Sequence, residues 1–232
     1  MAEARKFEVR ELGRIAYGEA WDLQRSLAAS RKRGGIADQL LLLEHPHVLT
    51  LGRNGRGENL LAGRERLAGL GIEYFETDRG GDITYHGPGQ VVGYPILDLR
   101  EWKRDVVAYV RALEQTIIGA LARFGIVGGR EPGATGVWVE KGPERAKICA
   151  IGVHISRWVT THGFALNHTT DLGYFQYIVP CGLARPVTSI EALGVRVSRP
   201  AVHQAIVEEF TRVFDYAPAL ACAAEAAPRA RI

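Results

Sequence analysis

The chain has 232 residues, 47% of them hydrophobic and 24% charged, with 29 Lys and Arg against 26 Asp and Glu for a net charge of +3. That is enough chain for one sizeable domain of ordinary globular composition, and the charge is too small to imply nucleic acid. No apolar run approaches the ~20 residues of a membrane span, residues 1–5 do not read as a secretory leader, and three widely spaced cysteines argue against a disulfide framework, so a reducing, cytoplasmic setting is expected.

In chain order, residues 7–15 read as a strand and 17–30 as a helix with Trp21, Leu23 and Leu27 inward. Arg31-Lys32-Arg33-Gly34-Gly35 closes that helix with cations and glycines, as its dipole and C-cap favour. Residues 40–44 and 48–51 are short apolar strands around His45-Pro46-His47, and Gly52-Arg53-Asn54-Gly55-Arg56-Gly57 makes a turn before a helix near Asn59. Residues 72–76 and 90–97 are strands that bracket a glycine-rich segment. Residues 105–124 give the clearest helix, with Val106, Val110, Leu113, Ile117, Leu121 and Phe124 at steps of three and four and Gly125 ending it.

Three consecutive strands follow, at 135–140, 146–155 and 158–166, joined by turns at Gly142-Pro143 and Ser156-Arg157. The last helix spans 200–214, with Val202, Ile206, Phe210 and Val213 on one face. These elements predict a single α+β (mixed α/β) domain over 1–216, a mixed sheet backed by helices, and a tail over 217–232 with too little apolar bulk to pack. A dinucleotide-binding reading lacks both the strand–helix alternation and a G-x-G-x-x-G loop opening a helix.

Two segments carry chemistry. Cys181 lies in a Pro180-Cys181-Gly182 turn, where neither mid-helix nor central strand is possible, so its thiol can face a cleft. Lys147, in the buried-strand run Lys147-Ile148-Cys149-Ala150-Ile151-Gly152, needs a reason for burial, and a thiolate supplies one. The pair reads as a nucleophile and the cation that activates it. The second segment, Arg79-Gly80-Gly81-Asp82-Ile83-Thr84-Tyr85-His86-Gly87-Pro88-Gly89-Gln90, combines glycines with too many polar side chains for a plain turn; glycine suits places where backbone must approach a ligand or turn sharply.

That segment, followed by Tyr94-Pro95, resembles the signature of the octanoyl (lipoyl) protein transferases of lipoate biosynthesis. Leu49-Thr50-Leu51-Gly52-Arg53, Gly136-Val137-Trp138, Lys147-Ile148, His162-Gly163-Phe164-Ala165-Leu166-Asn167, Asp171-Leu172 and Pro180-Cys181-Gly182 match in the same order, over roughly residues 10 to 215. The resemblance implies the fold shared with biotin and lipoate protein ligases. It also implies octanoyl transfer from an acyl carrier protein to a lysine of lipoyl domains, such as those of 2-oxoacid dehydrogenases or the glycine-cleavage H protein, as the first step of protein lipoylation. By position, Cys181 would be the acyl-thioester nucleophile and Lys147 the residue that lowers its pKa. Substrate would lie along Arg79, Gly80, Gly81, Asp82, Ile83, Thr84, Tyr85 and His86, along Ala150, Ile151 and Gly152, and along Gly163, Phe164 and Ala165. Exchange of a thioester for an amide is downhill, so no ATP, metal or other cofactor is expected, and the chain is expected to be a monomer.

Rival readings are weighed on the same residues. Cys149, two residues from Lys147, can share its face in a regular strand, although a small buried hydrophobe is the usual fate of a strand cysteine. Cys222 falls in the tail, and Lys141 reads as a solvated turn lysine. The seven histidines show no metal-ligand spacing; His86 and His162 read as hydrogen bonders of a tunnel wall, and His168 replaces a residue more often apolar in the family. Gly52 to Gly57 resembles the phosphate-holding loop of ATP-using ligases, which supplies the alternative of an ATP-dependent lipoate or octanoate ligase. A non-catalytic module that binds carrier or lipoyl domains would need neither the Cys nor the Lys. Arg31-Lys32-Arg33, Arg53 with Arg56, and Lys103-Arg104 are candidate docking cations for an acidic carrier.

Overall fold

A computed structural model describes residues 5–55, 57–179 and 185–217. Among these, the chain runs β1 (Phe7–Arg14), α1 (Tyr17–Lys32), β2 (Asp38–Glu44), β3 (Val48–Leu51), α2 (Arg64–Gly69), β4 (Glu73–Glu76), β5 (Thr84–His86) and β6 (Gln90–Ile96). It continues through α3 (Val106–Ala122), β7 (Gly128–Glu131), β8 (Ala134–Lys141), β9 (Glu144–Ser156), β10 (Val159–Asn167) and α4 (Arg199–Val213). Seven strands form one sheet in the order β1-β2-β6-β10-β9-β8-β7, and β4-β3-β5 form a second. The large sheet is antiparallel except for β1 beside β2, so the expected mixed sheet is present.

Alternation along the strands divides the large sheet's two faces. Val91, Phe164 and Leu166 join Leu113, Ile117 and Leu121 of α3 and Val202, Ile206 and Phe210 of α4 in one core. Leu41, Leu43, Val92, Tyr94 and Ala165 face Ala20, Leu27 and Ala28 of α1 in a second. Because β2 is covered on both faces, Leu40 to Leu43 form a continuous apolar run with no alternation, and all four are buried. A third cluster, including Leu49, Leu67, Ile72, Ile83, Tyr85 and Ile178, sits under the small sheet.

The helices start where local chemistry favours it. Asp105 caps α3 by accepting the Ala108 N–H at 2.9 Å, and Ser198 caps α4, which has Pro200 in its first turn. Gly125, at φ 74°, closes α3. Val106 is half exposed, because the first residue of α3 lies beyond the sheet that buries the later ones. In α1, Trp21 and Leu23 are only partly covered, whereas Gln24 and Arg31 are buried. Residues 218–232, read as a tail, lie outside the described residues. Among the described residues no helix is long and apolar enough to cross a membrane.

Arg31 corrects one expectation. Arg31 is 6% exposed and its guanidinium holds Asp38 at 2.8 Å and Glu101 at 2.6 Å, while Asp38 also accepts from Arg5 at 3.0 Å, the Tyr216 hydroxyl at 2.6 Å and the Asp98 N–H at 2.8 Å. This arginine is a tether from α1 to β2 and to Glu101 ahead of α3, with no face left for docking. Arg31→Met should destabilise the fold by about 1–3 kcal/mol in denaturant titrations, because it removes one of the two cations on buried Asp38 and leaves Arg5, at 3.0 Å, as the other. The apparent KM for a carrier substrate should stay unchanged.

Candidate active site

On the α1 side of the large sheet, two small cross-strand pairs lie next to each other: Ala150 opposite Ala165 and Gly152 opposite Gly163. Four side chains of at most one carbon leave a trough in the sheet surface. The glycine-rich segment closes over it, anchored by the Gly80 N–H on the Val153 carbonyl at 2.8 Å. A Cβ on Gly152 would stand 2.8 Å from the Gly80 oxygen, and one on Gly52 would stand 2.3 Å from the Gly81 oxygen, so both approaches require glycine. The cavity, about 40 Å³, is floored by these four residues and bordered by Ile151 and Phe164. Its walls are Arg79, Gly81, Asp82, Thr84 and His86 of the loop and β5, with Tyr17, Tyr94 and His162.

Eleven of the substrate positions expected from sequence therefore converge on one cavity. Gly80, Ile83 and Tyr85 do not line it. Gly80 acts through its backbone, while Ile83 and Tyr85 point the other way from Thr84 and His86 and pack in the third core. Tyr17 and Tyr94 were not among the expected site residues: Tyr94 belongs to the quoted Tyr-Pro motif, whereas nothing local marks Tyr17, which opens α1.

A second small cavity shares Thr84, Ala150 and Ala165 with the first and is lined further by Lys147, Gln90, Asn167, Phe175 and Val187. Lys147 reaches it because β9 is bulged. Val137 pairs with Cys149 and Trp138 with Lys147, so Ile148 is an extra residue against β8. The bulge puts Lys147 on the same side as Ala150, three positions on, and sends both Ile148 and Cys149 into the helix-side core. The face-sharing that a regular strand would give Lys147 and Cys149 does not occur. Cys149 is fully buried, and burial pushes its thiol well above the ordinary range, so it stays protonated. Cys181 and its Pro180-Cys181-Gly182 turn lie outside the described residues, as do Arg56 and Cys222.

Hydrogen bonds settle the state of His86. The Thr188 carbonyl accepts from Asn167 Nδ2 at 3.0 Å, and the Tyr85 carbonyl accepts from Gln90 Nε2 at 3.2 Å, which orients both amides. Gln90 Nε2 also donates to Asn167 Oδ1 at 2.9 Å, leaving Gln90 Oε1 to accept from His86 Nδ1–H at 2.9 Å. Burial holds His86 well below the usual histidine pKa, so its Nε2 is a lone-pair acceptor on the cavity wall. The same network ends beside Lys147, whose N–H donates to Pro186 O at 2.9 Å and whose carbonyl accepts from the Thr188 N–H at 3.0 Å.

His162, at φ 56°, gives its backbone N–H to Gln24 Oε1 and its Nε2–H to Asp78 at 2.8 Å. That bond holds the Asp78 carboxyl down at about 2, while burial lowers His162 itself. His45 donates from Nδ1 to the Ile15 carbonyl at 2.8 Å, so its Nε2 accepts the Tyr94 hydroxyl at 2.8 Å. Burial lowers His45 to about 4. Between pH 6.5 and 4 the unfolded chain takes up this proton before the folded one, so stability present above 6.5 is lost as pH falls. The loss from His45 amounts to about 3 kcal/mol. In denaturant titrations at pH 7.5 and 4.5, His45→Gln should show a difference smaller than the wild type's by a similar amount.

The Gly52 to Gly57 turn is already committed as far as it is described. The N–H groups of Gly52, Arg53 and Asn54 donate to the carbonyls of Asp82, Arg79 and Gly81 at 3.3, 2.9 and 3.2 Å. They brace the loop over the cavity, and none of these three is available to a phosphate.

Residues 16–211 match the family model of the lipoyl protein ligase A/B catalytic domain. The octanoyltransferase of Solibacter usitatus (strain Ellin6076) is 65% identical over 208 residues, covering 90% of this chain and 93% of its own. That of Koribacter versatilis (strain Ellin345) is 51% identical over 211 residues, 89% of this chain and 84% of its own. A bi-partite lipoate protein ligase from Thermoplasma acidophilum superposes with a TM-score of 0.71 at 16% identity, over 91% of this chain and 84% of that one, a likeness of fold.

Proposed function

The chain belongs to the octanoyltransferases of the lipoyl protein ligase A/B catalytic-domain family, and we propose that it moves an octanoyl group from the thioester of an acyl carrier protein, through Cys181, to a lysine amine on lipoyl domains. Acceptors of this kind include the lipoyl domains of 2-oxoacid dehydrogenases and the glycine-cleavage H protein. In the first step the Cys181 thiolate attacks the donor carbonyl, and the carrier's sulfur leaves with a proton from Lys147. In the second the acceptor amine attacks the Cys181 thioester, Lys147 takes the amine's proton, and the thiolate returns. The acyl chain lies in the glycine–alanine trough.

The observation that carries this reading is the suture at Lys147. Its backbone bonds to Pro186 and Thr188 hold the chain downstream of Cys181, while upstream the Val179 N–H donates to Asn59 O at 2.8 Å. In the sequence Cys181 stands two residues after Val179 and five before Pro186, between these two held positions. The commitment of the Gly52 to Asn54 N–H groups weighs against the ATP-dependent alternative. Octanoyl-carrier substrate with an apo lipoyl domain should yield octanoyl-lysine equally with and without ATP. A strict requirement for ATP would overturn the transferase reading.

A further inference from the structure

The Lys147 side chain meets an aromatic face before it reaches its cavity. Its Nζ stands 4.8 Å from the centroid of the Trp138 ring. Trp138 is 1% exposed, and its indole N–H donates to the Ala134 carbonyl at 3.1 Å, which fixes the ring plane. The β9 bulge sets the two residues opposite each other in register. The Arg185 guanidinium also lies over this ring, at 5.5 Å, and is held by Glu131 at 2.6 Å.

We propose that Trp138 is a positioning residue for the reaction, holding the Lys147 ammonium against its ring so that the lysine can serve as the partner of the Cys181 thiol. This rests on the Cys181–Lys147 reading above. Burial strips water from an ammonium and favours the neutral amine. An aromatic face replaces part of that hydration, more so when the contact is desolvated. It does so without bringing a negative charge, and a negative charge beside the thiol would oppose its ionisation. The ring thus holds the charged end of Lys147 in one place at the two points of the cycle that need it, when the thiolate awaits the donor and when it is regenerated. The arrangement also separates two jobs on one residue pair: Trp138 sets where the charge sits, and Lys147 moves the proton.

The test measures iodoacetamide alkylation of Cys181 in the full chain against pH, located by mass spectrometry. Wild type, Trp138→Phe and Trp138→Leu are compared, each with and without Lys147→Met. The wild-type midpoint should lie below the ~8.5 of a free thiol. Trp138→Leu should raise it by about one unit and Trp138→Phe by less. In the Lys147→Met background neither Trp138 change should move it further. If Lys147→Met moves the midpoint and Trp138→Leu does not, Trp138 is only packing and the proposal fails. If the wild-type midpoint already equals that of a free thiol and Lys147→Met leaves it there, the dyad reading itself fails. Should Trp138→Leu not fold, Trp138→Phe is read against the same two results.

Discussion

Cys181→Ala is expected to lose octanoyl transfer by roughly 10⁴-fold or more, while Cys149→Ala keeps it within about twofold. Removing a covalent nucleophile forces the acceptor amine to attack the donor thioester directly, with no residue to hold the acyl group between two protein substrates. Cys149 has no such part to play. Its thiol is buried in the helix-side core and kept protonated there, and trimming it to alanine removes one small buried atom, at a cost of about 1 kcal/mol in stability. Intact-protein mass spectrometry after incubation with octanoyl carrier, without acceptor, should show one octanoyl adduct. Digestion should place it on Cys181 in both the wild type and Cys149→Ala. An adduct on Cys149, or full turnover by Cys181→Ala, contradicts the assignment.

Lys147→Met should reduce turnover on the order of 10³-fold at pH 7, in two parts. An ammonium about 4 Å from a sulfur supplies about 4 kcal/mol at an effective dielectric near 20, enough to ionise a thiol that is otherwise only a few per cent thiolate. Its loss also removes the base that takes the acceptor's proton, a further factor of about 10². The residual rate should rise close to tenfold per pH unit up to about 8.5, because hydroxide then does the ionising. Lys147→Arg separates the parts: it keeps the charge but cannot release a proton. It should preserve rapid alkylation of Cys181 and still fail to turn over. A Lys147→Met enzyme within a few-fold of the wild type removes the lysine from the mechanism.

Much of this architecture is legible in local sequence. The periodic apolar residues of α3 and α4 and the runs of β2, β6 and β10 fall where their patterns put them. So does the meeting of the glycine-rich segment with Ala150, Gly152, Gly163 and Ala165. What escaped depends on partners distant in the chain. The three residues of β5 are a strand only because β3 pairs with them. The helix expected near Asn59 starts at Arg64 and is only six residues long, and β7 carries the Gly128-Gly129 pair, too little pattern to stand out. The bulge at Ile148 exists only in the register between β8 and β9, so no reading of residues 147 to 149 alone could show that Lys147 and Cys149 part company. Arg31 looked like a solvated cation until Asp38 and Glu101 closed around it.

On the proposed reading, in which the acyl chain lies in the trough, its floor bears on how chain length is sensed. Ala150, Gly152, Gly163 and Ala165 have no rotatable side-chain carbon, so the surface beneath a bound chain has no rotamers with which to adapt. Its depth is written in the main-chain path of two neighbouring strands. Any tuning toward longer or shorter tails must then come from the side chains that wall the trough, among them Tyr17 of α1 and Tyr94 of β6.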